Sequence, residues 1–283
     1  MKGCATTEIG PAGSLSVSGT MLTHPGLIRQ NNEDVVVYVL PDEGKIAAAR
    51  GALALVADGM GGHAAGEVAS AIAADTVRRL YYALDGTPGA VLEAAFAAAN
   101  EAIYRRSRTD PACAGMGTTC TALAWRGGAA FLAHIGDSRA YLWRAGCLRQ
   151  ISEDHSLVAQ LVRDGALTKA QAAKSPQRHV ILRALGTEPT AEPAVWPQGL
   201  PLRPGDVFVL CSDGLTDLVD DGTIGDIVGR LSPAEACAAL IAAALAAGGA
   251  DNVSVGVFAI EAARPQASDA ETTRPRLLSR NAP

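Results

Sequence analysis

Paired cysteines, an apolar leader, a long hydrophobic run and an excess of base are all missing from this chain of 283 residues. Its six cysteines, Cys4, Cys113, Cys120, Cys147, Cys211 and Cys237, are scattered without a CxxC pair. That excludes the disulfide framework of a small secreted domain and the spacing of a zinc site. The N-terminus carries one Lys and then Gly, Thr and Ser, so no secretory leader is read there. The longest nearly uncharged apolar stretch, Ala236 to Ala247, is about half the length a membrane helix needs. Lys plus Arg number 24 against 29 Asp plus Glu, a formal charge of -5, which is not the footprint of a nucleic-acid binder. No P-loop and no GxGxxG ahead of a helix is present, so nucleotide-dependent kinase or dehydrogenase chemistry has no support. The expectation is a cytoplasmic monomer that engages neither nucleic acid nor membrane.

What is present is an ordinary globular composition, 48% hydrophobic and 19% charged, in a chain long enough to bury a sizeable core. Residues 1–16, rich in Gly, Thr and Ser, read as a flexible extension. Residues 263–283 read as a disordered tail. One domain over residues 17–262 lies between them. Short apolar runs bounded by turn residues predict strands over 35–40, 52–57, 118–125, 129–135, 140–143, 207–211 and 253–260. The dipeptide Gly127-Gly128 fits a hairpin turn. Helical periodicity covers 65–84 and 89–108, shorter patches at 157–163 and 169–173, and 233–247. Hairpin-linked strands with helices in separate pairs predict an α+β layered fold of antiparallel sheets flanked by helices.

The acids are placed non-randomly. Asp58, Asp137 and Asp213 each end an apolar strand-like run, Asp251 precedes one, and Glu33-Asp34 opens another. A single Asp-Gly is adequately explained as a turn. Five repeats of the same placement are not. If the strand ends converge, the carboxylates raise one another's pKa and destabilise the fold unless a cation neutralises them. Oxygen ligands without paired His or Cys favour Mg²⁺ or Mn²⁺ over zinc. Gly59, lacking a side chain, would let its backbone carbonyl approach such an ion.

Seven segments in order carry a resemblance. They are Arg29-Gln-Asn-Asn-Glu-Asp34, Asp58-Gly-Met-Gly-Gly-His63-Ala-Ala-Gly-Glu67, Gly115-Met-Gly-Thr-Thr119, Gly136-Asp-Ser-Arg-Ala-Tyr141, Asp154-His-Ser156, Leu210-Cys-Ser-Asp-Gly-Leu-Thr-Asp217 and Asp251-Asn-Val-Ser-Val255. The chain resembles the metal-dependent, 2C-type Ser/Thr protein phosphatases in their compact bacterial form. The resemblance implies a four-layer α-β-β-α sandwich with metals in a cleft at one end. It implies that Asp58 bridges two Mn²⁺ or Mg²⁺ ions, that Gly59 offers its carbonyl, and that Asp213 and Asp251 complete one shell. Asp137 and Asp217 match a third metal position, and Asp34, with Glu33, would hold metal-bound water. It also implies phosphorylated proteins as substrates and a cognate Ser/Thr kinase as the opposing partner.

The expected chemistry is in-line attack by a hydroxide shared between two metals about 3.5–4 Å apart, with no covalent phosphoenzyme. Arg29 is the phosphate clamp, because a planar fork binds two oxygens at once. His63, five residues past Asp58, is the choice for general acid, with His155 and His179 as competitors; His134 and His24 read as structural. Two lookalikes fail. Cys120 to Arg126 has the spacing of a cysteine phosphatase, but the intervening residues read as strand, which holds its ends about 20 Å apart. Asp154-His155-Ser156 has the letters of a hydrolase triad without the geometry. A non-catalytic phosphoprotein-binding scaffold and a small-molecule metal phosphohydrolase remain as alternatives.

Overall fold

The computed structural model describes residues 6–8, 15–40, 49–61 and 65–262. Two antiparallel sheets carry the architecture. In one, the order is β1 (Thr6–Glu8), β2 (Leu15–His24), β13 (Val253–Ala262), β12 (Val207–Cys211), β8 (Arg139–Arg144) and β9 (Cys147–Gln150). In the other it is β10 (Ala194–Val195), β7 (Ala129–Ile135), β6 (Cys120–Arg126), β4 (Ala52–Met60) and β3 (Asp34–Val39); β11 (Leu200–Pro201) pairs with β7 and β5 (Gly117–Thr118) with β4. The helices are α1 (Ala65–Ala83), α2 (Pro88–Thr109), α3 (Leu157–Arg163), α4 (Lys169–Ala172), α5 (Asp213–Thr216), α6 (Asp221–Val228) and α7 (Pro233–Ala246).

Strand alternation builds three cores from these elements, because successive side chains leave opposite faces of a strand. In β4, Leu53, Leu55 and Ala57 pack under α1 and α2, while Ala52, Ala54 and Val56 face the other sheet. In β12, Phe208 and Leu210 meet that inter-sheet core, while Val209 and Cys211 pack under α6 and α7. The result is the four-layer sandwich expected from the sequence, with helix pairs outside. Aromatics are few, yet Trp125, Phe208 and Phe258 join in the middle layer, with ring centroids 5.8 Å and 4.9 Å from Trp125.

The N-terminal boundary needs correction. Residues 1–16 are not uniformly an extension: Thr6–Glu8 pair with Ser16–Ser18, and β2 starts at Leu15, opposite Ala262 of β13. The polar, glycine-bearing look of β2 has a packing cause. Gly19 lies opposite Phe258, and a Cβ there would sit 2.4 Å from the Phe258 ring. The C-terminal segment 263–283 lies outside the described residues. The Gly127-Gly128 turn is as expected, joining β6 to β7 with both φ angles positive, 61° and 78°. Among the described residues, no helix is long and apolar enough to cross a membrane.

Candidate metal centre

The register brings the acids to one end of the sandwich. Asp34 opens β3 directly opposite Asp58 near the end of β4. Cys120 at the start of β6 faces Ile135 at the end of β7, so the Gly136–Ser138 link that carries Asp137 leaves from the same end. That link enters β8, whose first residue Arg139 faces Cys211, the last residue of β12 and two before Asp213. Val255 faces Cys211 in turn, placing Asp251 just ahead of β13 at this end. Each sheet therefore contributes acids, and Asp137 sits on the crossover between them.

Asp34, Asp58 and Asp137 are poorly hydrated, while the side chains of Asp213, Asp217 and Asp251 reach solvent. Asp34 is buried. Its Oδ2 accepts a 2.8 Å bond from the Ser212 hydroxyl, and its Oδ1 is buried with no partner. Lost hydration raises its pKa to about 7, opposed by the Ser254 and Ser212 hydroxyls and reinforced by Asp213 and Asp251. Asp137 repeats the pattern: it is buried, its Oδ1 has no partner, and lost hydration followed by repulsion from Asp213 lifts it to about 7. Asp58 is driven well above the usual range by lost hydration and then by Asp34, Asp213 and Asp137. Asp217 is raised by lost hydration and Asp213, and held back by His179 and Arg178. Two buried carboxylate oxygens without partners, in a set of mutually repelling oxygen donors, are what a hard divalent cation would satisfy. The residues present fit the implied metals.

The loop carrying Arg29 is tied to this cluster. Arg29 donates to Asp251 Oδ2 at 2.8 Å, with the guanidinium otherwise half exposed. Asn252, which sequence reasoning passed over, holds the loop. Its Oδ1 accepts from the Glu33 backbone N–H at 2.8 Å, and its Nδ2 donates to the Pro25 and Asn31 carbonyls. Its sequence signal was its place in the segment Asp251-Asn-Val-Ser-Val255, directly after Asp251. Ser212 and Thr119 were also passed over: Thr119 Oγ1 accepts from the Asp58 backbone N–H at 3.1 Å. Glu33 is half buried, with a pKa raised by lost hydration and lowered by Arg29. Its carbonyl accepts from Gly59 N–H and the Ser70 hydroxyl.

Gly59 has a clear steric cause. A Cβ there would lie 2.1 Å from the Gly66 carbonyl oxygen, so the first turn of α1 packs directly on β4. His63 falls outside the described residues. Of its competitors, His179 reaches the acids, with Nδ1 3.3 Å from Asp217 Oδ2 and 3.9 Å from Asp213 Oδ2; Arg178 lies 3.6 Å from Asp217. Donor atoms of His179, Asp213 and Asp217 all lie within 4.8 Å of one another. His155 is buried behind the cluster and does not touch these acids' side chains in any bond among the described residues. The triad lookalike separates into three tasks: Asp154 pairs with Arg139, His155 accepts from Gly136 N–H, and Ser156 caps α3. Cys120 and Arg126 occupy opposite ends of β6, and burial pushes the Cys120 thiol up, away from thiolate reactivity. A cavity of about 700 Å³ opens beside the acids, with Asp137, Asp213, Asp217, Arg163, Lys169 and His179 in its lining.

The chain is similar in sequence and fold to known proteins. The protein phosphatase 2C family model matches residues 30–248. A Mycobacterium tuberculosis protein named serine/threonine protein phosphatase PstP is 44% identical over 234 residues, 81% of this chain but 42% of that protein, so the chain spans under half of that relative. A Listeria monocytogenes protein named serine/threonine phosphatase stp is 36% identical over 243 residues, 82% of this chain and 92% of that one. The solved catalytic domain of PstP in complex with two manganese ions is 40% identical, with a TM-score of 0.76, and covers 88% of this chain and all of that one. On the family model and these relatives together, the chain belongs to the protein phosphatase 2C family.

Proposed function

We propose that this protein is a metal-dependent serine/threonine phosphatase that hydrolyses phosphoserine and phosphothreonine in phosphorylated proteins. The observation that carries the reading is the convergence of Asp34, Asp58, Asp137, Asp213 and Asp251 at one sandwich end, with buried, unpartnered oxygens on Asp34 and Asp137. Asp58, Gly59, Asp213 and Asp251 would hold two Mn²⁺ or Mg²⁺ ions, with Asp34 and Glu33 orienting the water around them. When bound, the ions neutralise the acids and supply a nucleophile from water at neutral pH. Arg29 uses one nitrogen on Asp251 and keeps the rest of its fork for phosphate oxygens, which positions the phosphoryl group over the acids. Asp251 thereby orients the clamp as well as serving the metal. His63 is assigned the proton for the leaving alkoxide.

Asp137 and Asp217 are assigned to a further cation position, and the donor atoms of Asp217, Asp213 and His179 lie within 4.8 Å of one another, so His179 is close enough to share it. The adjoining cavity, whose lining carries Arg163, Lys169 and Arg178 among its acids, is the place for the peptide around the phosphorylated residue. The catalytic unit runs from β2 to β13, and a Ser/Thr protein kinase is the expected opposing enzyme. The test is hydrolysis of a phosphothreonine peptide with added Mn²⁺ or Mg²⁺, with and without EDTA. Turnover that EDTA stops supports the reading. Turnover that survives chelation, or a clear preference for phosphotyrosine, overturns it.

A further inference from the structure

The buried histidines behind the acids form a connected polar unit. His134 Nε2 lies 2.9 Å from the Glu153 carbonyl, which can only accept, so Nε2 carries the proton. In the neutral ring Nδ1 is then an acceptor, 2.9 Å from the Thr121 hydroxyl. The single Thr121 proton is shared between that nitrogen and the Ser138 carbonyl at 3.1 Å. Ser138 Oγ meets Thr119 Oγ1 at 2.8 Å, and Thr119 Oγ1 accepts from Asp58 N–H. The His155 ring stacks on His134 with centroids 4.9 Å apart.

His155 grips the turn before Asp137 twice. Its backbone N–H donates to the Gly136 carbonyl at 2.7 Å, and its ring Nδ1 accepts from the Gly136 N–H at 3.2 Å. The Gly136 N–H can only donate, so Nδ1 must present a lone pair. Gly136 itself is at φ 110°, with a virtual Cβ 2.5 Å from Thr119, so this turn is conformationally unusual and packed on the neighbouring strand. The carbonyl side of His155 points to another element. It accepts from Leu182 N–H at 2.7 Å, while Ser156 bridges Ile181 and Leu157 N–H donates to the Val180 carbonyl. The residues between, 157–180, include α3, α4 and the Arg178-His179 pair that reaches Asp217. One residue thus ties the turn bearing Asp137 to both ends of the segment that walls the cavity.

We propose that His155 is a positioning residue: through the Gly136 N–H it fixes the Asp137 carboxylate and so sets the affinity of the cation position shared by Asp137 and Asp217. The inference rests on assigning those two acids to a metal. An outer partner that orients a ligand changes metal affinity by about 10–100-fold when removed. Replacing His155 by Leu removes the acceptor and leaves the Gly136 N–H buried without one. Replacing it by Asn keeps an acceptor oxygen near the Nδ1 position.

The experiment titrates Mn²⁺ into the full chain stripped of metal and counts free ion by its solution EPR signal. In the unaltered chain we expect a tight class of sites and a weaker one, with Asp137→Asn abolishing the weaker class. His155→Leu should weaken that class by about tenfold or more and leave the tight class unchanged, while His155→Asn should hold it within about threefold. A fold-only role would lower the melting temperature of His155→Leu without moving the weak-class affinity, and that result overturns the proposal. If Asp137→Asn keeps every site, the metal assignment of Asp137 fails, and the role of His155 toward metal fails with it. Should His155→Leu not fold, the unaltered chain still decides. An NMR coupling between the Gly136 nitrogen and His155 Nδ1 is expected across the hydrogen bond, and its absence overturns the proposal.

Discussion

Asp34 and Asp137 make the metal-free molecule sensitive to pH in a direction opposite to that of a salt-bridged acid. In an unfolded chain each titrates near 3.8; in the fold, lost hydration lifts each to about 7. Between those values the folded state holds protons that the unfolded state has released, so stability falls as pH rises, and the fall is complete above about 7. In EDTA the melting temperature should drop by about 5 °C or more between pH 5 and 8, since 1 kcal/mol is worth about 2–4 °C in a domain of this size. Saturating Mn²⁺ should raise the melting temperature and flatten the slope. A flat or rising profile in EDTA would contradict the cluster. Single substitutions give the functional counterpart. Asp58→Ala or Asp213→Ala should lower Mn²⁺-dependent turnover by about a thousandfold or more, whereas Cys120→Ser should keep it within about threefold, as measured on a phosphothreonine peptide. These acids were legible in the sequence because each stands beside an apolar strand. Asn252, Ser212 and Thr119 lay inside the matching segments but their tasks were not legible, because a short uncharged side chain that bonds backbone or a neighbouring acid leaves no periodic pattern in a single sequence. His179 stood out only as a competitor for the general acid; its approach to Asp217 arises from chain return between residues 157 and 182, which spacing does not encode.

At the scale of elements, helices α1, α2 and α7 were readable from periodicity, and α6 was not. Its sequence carries Gly222 and Gly225 and ends against Gly229, a poor helix by propensity. Those glycines are there because α6 packs against the β8–β9 hairpin: a Cβ on Gly225 would meet Leu148 at 3.3 Å, and one on Gly229 the Trp143 ring at 3.0 Å. Tertiary packing overrides propensity here, as it does at Gly19 in β2. The close approach of α1 to β4 gives a test. A methyl at Gly59 would meet the Gly66 carbonyl at 2.1 Å and the Glu33 carbonyl at 2.8 Å, both backbone atoms that cannot swing aside. Gly59→Ala should therefore cost about 1–3 kcal/mol and displace the start of α1 from the acids. Circular dichroism melts should show the destabilisation, and Mn²⁺ titration a weaker tight class. Gly127→Ala, at a turn where a Cβ meets nothing within 4 Å but φ is positive, should cost only about 1 kcal/mol and leave Mn²⁺ binding alone. Equal metal affinity in both variants would sever the link between the Gly59 packing and the site.

For the molecule as a whole, the acids come from both sheets and from the crossover that joins them. Asp34 and Asp58 lie on the β3–β4 side, Asp213 and Asp251 on the β12–β13 side, and Asp137 between β7 and β8. Apart from that end, the sheets are held together by the apolar middle layer around Trp125, Phe208 and Phe258, which is non-directional. Cations bound among these acids would pin the two sheets at one end only. Amide hydrogen exchange with and without Mn²⁺ reads this directly, because local opening reports the free energy of each segment separately. Protection should rise at residues 31–34, 57–61, 135–139, 211–217 and 249–253 together. At the opposite end, the Gly127-Gly128 turn and residues 203–206 should be unchanged. Protection confined to one sheet would mean that the acids of the other do not share the ions, and the two-sheet metal cleft would have to be abandoned even if turnover remained metal-dependent.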